Sequence, residues 1–193
     1  MKKTIIPLTA TTLALAFSFL SCGGGGGGNK PPAPVVYATR LDYTNPSNAG
    51  YRFVKAESST ATKLVLELRG PASDTGRGVS FSVASDASKA AFAKVDQNDP
   101  EYAQNVAFDL GSTDPKLFKG LLDGASLKVS VAQKGATATA KPLGDALVRI
   151  ALEMKPNIAQ NTNITLTASD ARTLPASGGS LPITIAVGKL VAK

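Results

Sequence analysis

The chain reads as an all-β protein, an antiparallel β-sandwich of about nine or ten strands, placed behind an N-terminal segment that is not part of the sandwich. Apolar residues recur at every second position through most of the chain after Val35. Gly- and Pro-rich turn segments separate these runs at short intervals, the pattern of an antiparallel sandwich. One short stretch, 113–120, offers a cap followed by Pro115 and suits a single short helix or turn.

Taken in order, the clearest strands begin with Leu64, Leu66 and Leu68 alternating with Val65, Glu67 and Arg69. Val79, Phe81 and Val83 alternate with Ser80, Ser82 and Ala84. Each run predicts one buried and one outward face. The same period runs through Leu127, Val129 and Val131, through Val148, Ile150, Leu152 and Met154, through Ile164 and Leu166, and through Ile183, Ile185 and Val187. Weaker strand patterns occupy 35–43, 51–55, 91–95 and 106–110. Turns are expected at 44–50, 70–78, Lys134-Gly135, Leu143-Gly144-Asp145 and 175–179.

Composition removes several chemistries. The 193 residues contain no histidine and one cysteine, so a Ser-His-Asp or Cys-His nucleophile, a His-ligated metal and a zinc knuckle are excluded. Apolar residues make up 43% and aromatics 6%, without Trp, so the core must be mostly aliphatic. The formal charge is +7. Such an excess could draw anionic lipid or acidic polysaccharide. Lys128, Lys134, Lys141, Lys155 and Lys189 could equally be solvated residues that blunt strand edges. The basic residues are scattered and not interleaved with aromatics, which argues against nucleic acid as a partner.

The N-terminal segment has export chemistry. Lys2 and Lys3 form a positive start, followed by an apolar run interrupted by Pro7 and five Thr or Ser residues before Leu20. This suits a removable signal better than a stable span. Phe19-Leu20-Ser21-Cys22 resembles the lipobox of bacterial lipoproteins, with Phe19 where that family usually has Leu. The resemblance implies cleavage after residue 21, acylation of Cys22 with a fatty chain such as palmitate, and anchorage to a membrane. Gly23 in place of Asp implies passage to the outer membrane. Cleavage would leave Lys+Arg at 19 against 14 acidic residues, a balance of +5. Two or three acyl chains, at about 0.8 kcal/mol per buried methylene, hold a protein to a bilayer in effect permanently. Residues 22–34, six glycines and then Asn29-Lys30-Pro31-Pro32-Ala33-Pro34, form a tether with a reach on the order of 20 Å. The expected layout is signal 1–21, acylated Cys and tether 22–34, and sandwich 35–193. With Cys22 acylated, the sandwich has no disulfide.

Within the sandwich, 78–89 with its Asp86-Ala87-Ser88-Lys89 turn, followed by Phe92-Ala93-Lys94-Val95, resembles the strand, Asp-x-Ser-Lys turn and strand of cohesin-like domains. Residues 143–155 are similar to the Gly-x-Leu-x-x-Ile-x-Phe-x-Val-Lys strand of those domains, with Leu152 where Phe is common. Residues 164–170 and 182–188 fit their last two strands. The resemblance spans about 65–187. It implies a nine-stranded jelly-roll sandwich of the cohesin and carbohydrate-binding-module type. No repeat or second such unit accompanies it, which argues against a multi-module scaffold.

Asp96, Asn98, Asp99 and Glu101 concentrate oxygen ligands that could hold Ca²⁺, although Pro100 and Glu101 break the EF-hand pattern and a capped turn is the simpler reading. Paired carboxylates could make a glycosidase, but Asp109, Asp114, Asp123 and Asp170 mostly sit beside Gly, Pro or Ser, where Asp organises turns. Carbohydrate recognition needs exposed rings, for which Tyr37 and Tyr51 are the candidates, beside Tyr43 and Tyr102; packing is the competing role. No cofactor motif is present, since the Gly-rich loops lack P-loop spacing. The expected function is that of a non-enzymatic, lipid-anchored envelope protein whose sandwich mediates protein–protein interaction. The alternative is a module that binds envelope or extracellular polysaccharide.

Overall fold

The computed structural model describes residues 33–112, 116–134 and 139–193. The leader 1–21, Cys22 and all but two residues of the 22–34 tether lie outside the described residues, as do Asp114 and Gly135. Every regular element among the described residues is a strand, and all of them fall between Val35 and Lys193.

Numbered along the chain, one layer runs in the order β2 (Arg52–Lys55), β3 (Lys63–Arg69), β10 (Val148–Met154), β5 (Ala90–Ala93), with β6 (Ala103–Asn105) also pairing β10. The other runs β13 (Leu181–Pro182), β12 (Leu166–Pro175), β4 (Thr75–Ser85), β8 (Ser126–Ala132), β7 (Phe118–Asp123), with β9 (Lys141–Pro142) on the start of β4. A third, small sheet joins β1 (Leu41–Thr44), β14 (Lys189–Ala192) and β11 (Thr162–Ile164). All ladders are antiparallel. The architecture is an antiparallel jelly-roll-type β-sandwich.

The period-2 pattern explains the core directly. Leu64, Leu66 and Leu68 on β3 and Val148, Ile150 and Leu152 on β10 share one cluster with Val79, Phe81 and Val83 on β4 and Leu127, Val129 and Val131 on β8. None of these twelve is more than 3% exposed. Each buried aliphatic side chain contributes about 1.5–3 kcal/mol, so this interleaving is the main source of stability. Phe53 of β2 and Phe81 of β4 meet edge to face at 5.5 Å, tying one layer to the other.

The Asp-x-Ser-Lys segment is the corner between the layers. Asp86 Oδ1 accepts from Ser88 N and Ser88 Oγ, while Lys89 Nζ pairs with Asp86 Oδ2 at 2.9 Å. These bonds reverse the chain from β4 into β5 and hold the Asp86 carboxyl below its usual range, the Ser88 hydroxyl contributing most.

Several expectations are corrected. Phe118 to Gly120 belong to β7 and not to a helix, because six consecutive residues pair with β8 and Gly120 packs on the backbone of Ala103. Residues 106–110 form no strand: Asn105 donates to Phe108 O and accepts from Phe108 N, turning the chain so that Phe108 enters the core. In 35–43 only Leu41 to Tyr43 are in β1, and Tyr37 makes a single bridge to Ala159. The alternation at 183–187 marks a crossing segment, held by the parallel bridge of Ala186 to Arg52 and by backbone bonds to Ala171 and Tyr51. The expected turn 70–78 is shorter, since β4 already starts at Thr75. Lys128 does not guard an edge, because β8 lies between β4 and β7.

Candidate interaction face

The two layers treat their outer surfaces differently. On the five-stranded layer, Val65 and Ala151 point outward yet are 2% and 0% exposed. Ala56, in the loop after β2, covers them, with Val95 packed alongside. The Ser59 hydroxyl staples that loop down, donating to Val65 O and accepting from Val65 N.

The six-stranded layer is bare. Over Val79 to Ser85 its central strand β4 places only Ser80, Ser82 and Ala84 outward, each half-buried. Register places Ser82 between Ser169 on β12 and Lys128 on β8, and Ser80 between Arg172 and Ser130. Ala84 lies between Thr167 and Ser126, and Leu121 on β7 stands beside Lys128. Lys119, Leu121, Asp123, Lys128, Ser130, Thr167, Ser169 and Arg172 are all exposed. The short side chains along the centre make a flat floor, and charges flank it on both sides. Lys128 Nζ lies 2.7 Å from Asp123 Oδ2, which lowers the Asp123 pKa and raises that of Lys128 through the shared hydrogen bond.

A bulge in β12 gives this face its composition. Ser169 pairs with Ser82 and Arg172 with Ser80, so β12 carries one residue more than β4 between the two pairs. Asp170 takes the strain at φ 50°. The extra residue switches the parity, turning Ala171 into the core and Arg172 onto the open face.

The residues singled out from the sequence are distributed around the sandwich. Tyr37 is 52% exposed, whereas Tyr51 is 8% exposed, with its ring against Gly70 at the rim of a concavity of about 460 Å³ lined also by Asp74, Leu143 and Thr173. Burial raises the Tyr51 pKa. Tyr43 is buried and Tyr102 half-buried against the core. In the 96–101 stretch, Asp99 Oδ2 accepts from Asp96 N and Asp96 Oδ1 from Asn98 N, both closing a turn. Glu101 points elsewhere: it accepts from Gly120 N and Lys119 Nζ, strapping the approach to β6 onto β7. No three His, Cys, Asp or Glu side chains converge on a metal-sized site among the described residues. Asp109 caps Gly111 N, Asp123 pairs with Lys128 and Asp170 sits in the bulge, so these three carboxylates serve separate local structures. The open face was missed in the sequence, although its signal was present as Ser and Thr at the outward positions of adjacent strands.

No family model matches the chain, and no curated protein is significantly similar to it. Solved structures do match. The sixth cohesin of scaffoldin B from Acetivibrio cellulolyticus, solved in complex with a Cel5 dockerin, superposes with a TM-score of 0.51 at 12% identity, covering 72% of this chain and 95% of its own. The cohesin CaCohA2 from Clostridium acetobutylicum matches with a TM-score of 0.53 at 10% identity, over 74% of this chain and 90% of that one. A type II cohesin from the Acetivibrio cellulolyticus cellulosome gives 0.51 at 7% identity, over 74% and 94%. The sandwich of this chain therefore has the cohesin fold.

Proposed function

We propose that this chain is a non-enzymatic interaction module of the cell envelope, tethered through acylated Cys22 to the outer membrane, whose sandwich captures a protein partner on the open face of the six-stranded layer. The observation that carries this reading is the bareness of that face beside the other layer, where Ala56 and Val95 cover Val65 and Ala151. A floor of Ser and Ala side chains loses little rotamer freedom on binding. Leu121, 52% exposed, offers an apolar anchor, and the flanking Lys119, Lys128, Arg172 and Asp123 suit the polar rim of a protein interface. Cohesin-fold neighbours solved together with dockerins support a protein partner. The lipobox resemblance supports the anchor.

The test is in-cell photocrosslinking with a photoreactive residue at Ser82 or Ser130, compared with the same residue at Glu153 on the other layer. A discrete protein adduct at Ser82 and Ser130, absent at Glu153, is expected. Equal labelling from both layers, or no adduct from either open-face position, would overturn the assignment.

A further inference from the structure

The outer side of the five-stranded layer holds a second, chemically different feature. Glu67 lies on the outward parity of β3, directly across from Arg149 on β10 and Val54 on β2. It is 6% exposed. Its Oε1 accepts from Arg149 Nε at 3.0 Å and Nη2 at 2.8 Å, and its Oε2 accepts from Arg69 Nη2 at 2.7 Å. Burial by itself would raise the Glu67 pKa, but the hydrogen bonds and charges of the two guanidinium groups outweigh it and hold the carboxyl below its usual range.

Glu67 thus orients two arginines without exhausting them. Each guanidinium has five N–H donors, of which Glu67 takes two from Arg149 and one from Arg69. The arginines open into a concavity of about 590 Å³, whose wall is completed by exposed Lys55 at the end of β2 and by exposed Glu57 and Ser58 from the loop that Ser59 staples to β3. That volume is within the range of small-molecule sites. Three cations line it against two carboxylates, one of which is already committed to the arginines. A planar carboxylate fits guanidinium donors well. Glu57 and Ser58 add exposed oxygen acceptors and a hydroxyl donor, groups suited to sugar hydroxyls, while the Glu57 charge disfavours a dense polyanion.

We infer that this concavity binds a carboxylated sugar of an acidic polysaccharide, the uronate carboxylate lying on Arg69, Arg149 and Lys55 and the ring hydroxyls on Glu57 and Ser58. The site lies on the other layer from the open face and does not depend on it. Aromatic stacking plays no part, because no ring among the described residues lines the concavity.

The full chain in detergent is titrated with oligogalacturonate, with its methyl ester, with poly-glutamate of equal charge and with dextran sulfate. Oligogalacturonate should bind at least about tenfold more tightly than the other three, since the ester lacks the charged carboxylate, poly-glutamate the ring hydroxyls and dextran sulfate the planar carboxylate. Lys55→Gln and Ser58→Trp, both at exposed positions that leave the Glu67 pairs intact, should each weaken it by about tenfold, and Arg149→Gln by more. Absence of oligogalacturonate binding would overturn the inference. So would equal affinity for the methyl ester, equal or tighter binding of poly-glutamate or dextran sulfate, or an unchanged affinity in both the Lys55 and the Ser58 variant.

Discussion

At the residue scale, the fold is most constrained where Tyr43 meets Gly188. Tyr43 Oη accepts from Gly188 N at 2.7 Å and donates to Phe53 O at 3.2 Å, joining β1, β2 and the approach to β14 through one buried hydroxyl. A Cβ on Gly188 would lie 2.0 Å from Thr44 O and 2.8 Å from the tyrosine ring, so only glycine fits. Tyr43→Phe should lose about 1–3 kcal/mol in urea unfolding, because Gly188 N is left without its acceptor. Gly188→Ala should lose about as much or more through overpacking against backbone. Glu67 supplies a pH signature. Its folded pKa lies below its ordinary value of 4.5, so its contribution is full above that value and disappears as the pH falls through the folded pKa. Glu67→Gln should therefore be less stable than the parent at about pH 7 but show a flatter loss between about pH 4.5 and pH 2, measured by urea midpoints across that window. Parallel curves for the two proteins would remove Glu67 as a source of acid sensitivity.

At the element scale, legibility followed periodicity. The alternations at 64–68, 79–83, 127–131 and 148–152 predicted both strand and buried face because these strands cross the centre of the sandwich, where every second side chain must be apolar. The alternation at 183–187 misled because a crossing segment that touches both layers also buries alternate residues, without a ladder beside it. The 113–120 segment misled because cap and proline chemistry is local, while the pairing of β7 with β8 is not. Val65 looks solvent-facing because nothing in β3 announces the loop that folds over it, and Glu67 because nothing there announces that Arg149 of β10 pairs with it. The β12 bulge was equally hidden, since a one-residue offset against β4 exists only once the two strands are aligned. At Asp170, whose φ is 50°, substitution reports on that bulge. Asp170→Gly should be neutral or stabilising by up to about 1 kcal/mol, and Asp170→Val destabilising by about 1–2 kcal/mol, read from thermal unfolding. The open face itself was visible only as polar residues at outward positions, a pattern every half-solvated strand shares; which layer stays uncovered depends on where the loops travel.

At the scale of the whole molecule, three proposals fit together: an anchor at Cys22, a protein-binding face on the six-stranded layer and an acidic-sugar site on the five-stranded layer. An anchored domain with two opposed binding surfaces could hold a partner protein against envelope polysaccharide. The anchor is checked by Cys22→Ala, which should abolish palmitate labelling and release the protein from the membrane fraction; labelling that persisted would remove Cys22 as the attachment point. The protein-binding face is checked most directly with the partner recovered by crosslinking, through its dissociation constants for the parent chain and for the double variant Ser82→Arg, Ser130→Arg. Both positions point out of the sheet, so the variant should fold with an unchanged thermal midpoint. Two long charged side chains on a flat floor should raise Kd by about 100-fold or more, a loss of about 2.7 kcal/mol. An unchanged Kd in the folded double variant would contradict the account.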